Sequence, residues 1–302
     1  MTQLAGSRFS PQQGSGVVYR PGSHARKARR VGKYALVYSF GLIFVFFSIT
    51  PILWGLSTAL KLTKNQYSFP PQWIPRPITF DHFIDALNNK AVIHGFVNTL
   101  IIAVSTTIIA LIVGVLGAYG FSRYRFPGRK TLLWSVLFTQ LFPRVVVIVP
   151  FFVTLRNLNL MNTLPGLVLV YLMVIFPISI WMIKGFFDRI PVEIEEAAVV
   201  DGCSLPRLLW QIVLPMSRPA LVAVAMYSFI LAWNEFLFAL VFTQGLDKRP
   251  LSVALAFFID ETGIQWGDLM AASFLMSIPA IIVFTLSQKL LVRGLSEGAV
   301  KG

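Results

Sequence analysis

Side chains able to do chemistry are sparse in this 302-residue chain, and they are unevenly spread. Four of its 13 acidic residues fall within nine positions: Glu193, Glu195, Glu196 and Asp201, in the stretch EIEEAAVVDG. At depth within long apolar runs stand only two charged residues. Arg144 follows Pro143 in TQLFPRVVVIVP, and Glu235 follows Asn234 in WNEF. A charge in hydrocarbon is expensive, so such residues are by default functional candidates. The structural alternative is an interhelical pair, or a long side chain that reaches water. Gln140, in the same stretch as Arg144, is a weaker polar candidate at similar depth.

The chemistry excluded is equally informative. Cys203 is the single cysteine, so no intrachain disulfide forms. His24, His82 and His94 are far apart and no Cys/His metal spacing exists. No GxxxxGK[ST] phosphate loop occurs, so this chain is not expected to bind and hydrolyse ATP itself. No nucleophile, base or metal cluster stands at catalytic spacing, which argues against a membrane enzyme.

The elements that must position these residues are apolar. The chain is 56% hydrophobic and 13% charged, against nearer a quarter charged in soluble domains. Its net charge of +13 could suit nucleic acid, but the Lys and Arg flank apolar runs instead of forming a patch. Residues 1–33 carry seven Lys/Arg and no acid, and are expected to form a flexible basic tail. A signal peptide is excluded because the next apolar run is too long and lacks a small-residue cleavage site. Six runs then reach the ~20 residues that a bilayer core requires: 34–60, 97–120, 131–155, 163–185, 219–243 and 270–291. Prolines 51, 143, 150, 177 and 279 lie within them and predict kinked helices around a cavity. Eighteen Lys/Arg flank one side, against seven on the other. The positive-inside rule places both termini and the acidic stretch in the cytoplasm. A ridge of Ala110, Gly114 and Ala118 suits close helix packing, either within the chain or against a partner subunit.

The acidic stretch itself predicts a helix–turn–helix. Pro191 and the three glutamates favour a helix N-terminus. Ile194, Ala197, Ala198 and Asp201 share one face, Gly202 permits a turn, and Ser204 can cap a second helix with Pro206 in its first turn. Membrane-surface helices are usually basic. This acidic helix with its small Ala-Ala face better fits docking into a protein groove.

The spacing Glu196-Ala197-Ala198, three residues, Gly202, nine residues, Ile212, one residue, Leu214-Pro215 resembles the EAA loop of ABC-importer permeases at every defined position. GFFDRIPVEIEEAAVVDGCS, WNEF and the terminal GLSEGAVKG are similar to the carbohydrate-importer permeases of the MalG-like type. The resemblance covers roughly residues 35–302. It implies an all-α integral membrane protein of the type I ABC-importer permease fold, with six transmembrane helices in domain 34–302. The coupling loop would span about 188–216. Glu196, Ala197, Ala198, Asp201, Gly202, Ile212, Leu214 and Pro215 would be the ATPase-coupling residues; Gln140, Arg144, Asn234 and Glu235 are the candidates for the translocation path. Cys203 stands where the family commonly has Ala and is given no redox role.

The implied partners are a homologous second permease, two ATPase subunits that carry ATP and Mg, an extracytoplasmic sugar-binding protein and membrane lipid, with no nucleic acid. External residues 61–96 and 244–269 would meet the binding protein. The terminal GAVKG is a candidate contact with the ATPase. The expected location is a prokaryotic plasma membrane. The alternative class, an ion-gradient-driven secondary transporter, predicts membrane carboxylates and internal repeats. Only Glu235 qualifies, and the acidic loop is left unexplained.

Overall fold

The computed structural model describes the backbone of residues 23–260 and 263–299, and the side chains of 32–259 and 263–289. Residues 1–22 of the basic tail and the end of the GAVKG segment lie outside them. The chain forms two compact units, residues 1–54 and 55–302. Helix α1 (Ser23–Ala59), most of which belongs to the first unit, begins well before the apolar run that starts at Tyr34. Residues 23–33 are therefore helical in their backbone. Ala, Lys and Arg are good helix formers and dominate SHARKARRVGK. Along α1 the apolar side chains between Tyr34 and Leu53 are largely exposed.

The second unit continues with α2 (Thr63–Gln66), α3 (Asp81–Asn88) and the long α4 (Lys90–Arg123). Asn89 caps α4: its side chain accepts from the amides of Ala91 and Val92. Then come α5 (Arg129–Phe138), a 3-10 turn at Thr139–Leu141, α6 (Ile148–Asn157) and α7 (Leu164–Phe187). The acidic stretch forms α8 (Val192–Val200), followed by α9 (Leu205–Leu208), a π turn at Leu209–Val213 and α10 (Leu214–Met216). The chain ends with α11 (Arg218–Trp233), α12 (Leu237–Phe242), α13 (Leu251–Ala256), a two-stranded hairpin of β1 (Ile259–Asp260) and β2 (Gly263–Ile264), and α14 (Trp266–Ala299). In the hairpin Ile259 pairs with Ile264 and Asp260 with Gly263.

Among the described residues, four helices are long and apolar enough to cross a bilayer: Gly32–Ala59, Lys90–Arg123, Leu164–Phe187 and Trp266–Lys289. The segment Leu205–Met216 and α11 make a fifth if that pair, bent by 82°, is counted as one span. The run 131–155 is not one continuous helix. Phe142 is extended, at φ −73° and ψ 130°, as the residue before a proline is driven to be. Pro143 also lacks the amide that would continue the ladder. Pro150 lies in the first turn of α6, where no such amide is needed. The run 219–243 breaks as well, at Asn234–Phe236 between α11 and α12.

The core sits where α4, α7, α11 and α14 pack. Trp233 stacks on Phe229 with centroids 5.3 Å apart and meets the edge of Phe96 at 5.8 Å. Its indole donates to the Met276 carbonyl at 3.0 Å, so an otherwise costly buried N–H is satisfied. The small ridge of α4 packs within the chain. Ala110 and Ala118 are fully buried, and a Cβ on Gly114 would stand 3.1 Å from Ile183 of α7. Two connections far apart in sequence are knit together at the start of α14. His82 Nδ1 pairs with Asp268 at 2.6 Å, the Gly267 amide donates to Gln66, and Tyr67 donates to the Ile264 carbonyl.

Candidate functional site

The turn after α8 is built by its last residues. Gly202 takes φ +81°, in the left-handed region. Its amide donates to the Val199 carbonyl at 3.0 Å, and the Cys203 amide donates to Ala198 at 2.9 Å. Together these make a Schellman motif, in which a left-handed glycine satisfies carbonyls that a helix end leaves open. Its apolar contact is supplied by Ala198 and Cys203, both packed against the buried cluster of Leu208, Val213 and Phe187. Ser204 occupies the N-cap of α9, although its hydroxyl makes no capping bond.

One of the three glutamates turns inward. Glu195 is 5% exposed. Arg123, at the end of α4, donates to its Oε1 through Nε at 2.8 Å and Nη2 at 2.6 Å. The Tyr119 hydroxyl donates to Oε2 at 3.0 Å. Arg123 also reaches the Ile190 carbonyl and the Ser122 hydroxyl. Ser122 in turn donates to Asp188 at 2.7 Å, and Lys184 pairs with the same carboxylate at 2.5 Å. The end of α4 thus holds both ends of the 188–195 segment. Burial opposes ionisation of Asp188, but hydrogen bonds from Lys184 and Ser122 outweigh it and hold the carboxyl below its usual range.

With Glu195 bound inward, the opposite side of α8 faces out. Glu196, Ala197, Asp201 and Gly202 are exposed, with Val199 beside them and Val200 86% exposed. Ala198, Ile212, Leu214 and Pro215 are half-buried and form the footing beneath. Next to this face lies a cavity of ≈ 1070 Å³. Arg125 and Arg129 line one wall; Glu196, Val199 and Leu205 line the other. Sequence reasoning missed Glu195 as the anchor. Helical spacing alone leaves three glutamates equivalent, and the choice is made by Tyr119 and Arg123, one turn apart on a remote helix.

The four membrane-depth candidates fall in three places. Gln140 and Arg144 line one cavity of ≈ 470 Å³ together with Phe142, Phe151 and Met173. The Gln140 amide donates to the Val174 carbonyl of α7 at 2.8 Å. Asn234 lines a different cavity of ≈ 390 Å³ with Trp233, Ser273 and Ser277, and its side-chain amide donates to the Ile230 carbonyl. Glu235 is buried and accepts from the amides of Phe238 at 3.0 Å and Ala239 at 3.1 Å. It satisfies the open N-terminus of α12, the requirement that any broken helix creates. Among the described residues, His82, Asp85 and Asp268 bring three potential metal-ligating atoms within 4.8 Å of one another. Both His82 nitrogens already have protein partners there.

A helical membrane chain with broken spans and an anchored, outward-facing acidic helix is the architecture of an importer permease. The family model of the binding-protein-dependent transport system inner membrane component matches residues 107–297, and the chain belongs to this family. It is 35% identical to the diacetylchitobiose uptake system permease protein DasC of Streptomyces coelicolor, over 89% of this chain and 95% of that one. It is 31% identical to the trehalose transport system permease protein SugB of Mycobacterium tuberculosis, over 91% of this chain and 99% of that one. A solved bacterial ABC transporter that imports the acidic polysaccharide alginate superposes with a TM-score of 0.74 at 26% identity, covering 87% of this chain and 97% of that one. The protein is an ABC transporter permease of the inner membrane, a transport subunit and not an enzyme.

Proposed function

We propose that this chain forms half of the translocation path of an ATP-driven sugar importer and is coupled to its ATPase through the loop 188–216. The path would be completed by a homologous second permease. ATP and Mg would be held by two ATPase subunits, and the sugar delivered by an extracytoplasmic binding protein. In this reading the chain crosses six times, with both termini and the α8 loop in the cytoplasm. The broken runs 131–155 and 219–243 each cross as interrupted spans, as membrane backbone can where it lines a cavity.

The observation that carries the proposal is the two-sided build of α8. One side is fastened to α4 by a buried ion pair, and the other presents Glu196, Ala197, Val200 and Gly202 outward. A helix rigidly tied to a membrane span and bare on its far side suits transmission of movement from a docked partner. The ion-gradient alternative loses its one carboxylate, because Glu235 is engaged by the α12 amides.

Substitution at Gly202 tests the assignment. A Cβ there meets nothing within 4 Å in this chain. Gly202→Ala therefore costs only the left-handed backbone term, about 1–2 kcal/mol, and Gly202→Asn less. Gly202→Trp should leave the permease in the membrane yet uncouple ATP hydrolysis from uptake, or release the ATPase on mild-detergent purification. Normal coupled transport in Gly202→Trp would remove the basis of the proposal.

A further inference from the structure

The loop 188–216 is built of two unlike halves. The first, α8, is acidic. In the second, from Gly202 to Ser217, the one charged residue is Arg207, and the large side chains of Leu205, Trp210 and Met216 are exposed, Trp210 by 74%. This half runs at 82° to α11, the helix it leads into. Its inward side chains, Leu208 and Val213, share a buried cluster with Tyr119 of α4 and with Ile183 and Phe187 of α7. Phe187 is the last residue of α7. The segment therefore lies across the ends of two spans and prolongs neither.

The chain itself sets the level of those ends in the bilayer. α7 has 24 residues and is about 36 Å long at about 1.5 Å each. Centred in a hydrocarbon core of about 30 Å, its last residue stands about 3 Å outside. The exposed tryptophans of the second unit agree, because they fall into two groups. Trp73 and Trp266 lie at the end where α14 begins; Trp134, Trp181 and Trp210 lie at the end where α7 stops. Arg123, Arg129, Lys184 and Arg189 stand at that second level. Tryptophan gathers at both faces of a bilayer, and basic residues flank the spans.

We propose that residues 205–216 form a membrane anchor that lies flat on the lipid surface, with the Trp210 indole seated at the headgroup boundary and Arg207 reaching the lipid phosphates. An apolar segment with Trp, a basic residue and no acid has the composition of an interfacial helix. A long basic side chain lays its stem on the apolar layer and keeps its charge in water. α8 has the opposite composition and is left to the ATPase; that clause alone rests on the importer reading. Held at a fixed level, the segment passes movement of α8 into α11 at the 82° corner.

Cys203 is the single cysteine, so in a Cys203→Ala background Trp210→Cys carries the only thiol. The full chain, assembled with its second permease and ATPase in nanodiscs, is labelled there with an environment-sensitive fluorophore. Quenching by nitroxide-bearing lipids is compared with quenching by aqueous acrylamide, and Val200→Cys serves as the reference on α8. Lipid quenching at 210 should exceed that at 200 severalfold. Lipid quenching at 210 no stronger than at 200 overturns the inference: acrylamide quenching there then shows an indole position open to water, and quenching by neither shows one covered by protein. Strong lipid quenching at 210 with strong acrylamide quenching at 200 keeps the anchor and leaves α8 without an ATPase over it, so the importer reading fails alone.

Discussion

Replacing Glu195 by Ala should loosen α8 far more than replacing either of its acidic neighbours. The substitution leaves the Arg123 guanidinium, 11% exposed, with no carboxylate, and the Tyr119 hydroxyl with no acceptor. Breaking a buried pair by removing one partner costs about 3–5 kcal/mol. Each 1.4 kcal/mol is a factor of ten, so the helix should detach from α4 about a hundred- to several-thousandfold more often. Amide hydrogen exchange across 192–200 in the detergent-purified chain reads this directly. Glu196→Ala, on the exposed side, should leave exchange unchanged while weakening ATPase attachment. The double variant Arg123→Met with Glu195→Met restores an uncharged, packed contact and should recover most of the protection, as buried pairs replaced by apolar groups often do. Equal exchange in Glu195→Ala and Glu196→Ala would refute the argument that this pair is what fastens the loop.

Three other outcomes follow from the same geometry. Glu235→Ala strips two buried amides of their acceptor, at about 1–3 kcal/mol each, and should lower the thermal midpoint of the purified protein, with Glu235→Gln milder. Gly95→Ala would bring a Cβ to 2.9 Å from the Leu251 Cα, a backbone atom that cannot step aside. It should destabilise by about 1–3 kcal/mol, the range for overpacking, and disturb the bond from the Leu251 amide to Thr99, visible as faster exchange at α13. Asp188 has a depressed pKa, so its contribution is complete above the unfolded carboxyl value near 3.9 and is lost as pH falls through the lower folded value. Asp188→Asn should therefore be less stable than the parent at pH 7 and at pH 5, with the gap closing only below about pH 4 in denaturation experiments.

What the sequence makes legible here is local. The turn at Gly202 requires a left-handed residue between two helical patterns, and that needs no knowledge of the rest of the chain. Glu196, Ala197 and Gly202 lie on the exposed side of α8, whereas Ala198 of the same pattern is half-buried against the core cluster. What escapes is decided by distant partners. Glu195 is selected by Arg123 and Tyr119, more than 70 residues earlier. Glu235 reads as a membrane carboxylate until the break at 234–236 shows which amides it serves. Pro143 signals a kink, but hydropathy cannot distinguish a bent span from two helices with nine intervening residues. The early start of α1 is hidden for another reason: a polar composition argues against a core, and not against a helix.

The knot around His82 carries a consequence for how the protein is made. Its bonds join residues 186 to 201 positions apart, and the later partners all lie at or just before the start of α14. Synthesis runs from the N-terminus, so this face stays unfinished until the last helix has been delivered to the membrane. Chains truncated before α14 would present loose ends of α2 and α3, a mark by which a protease can tell an incomplete subunit from a finished one.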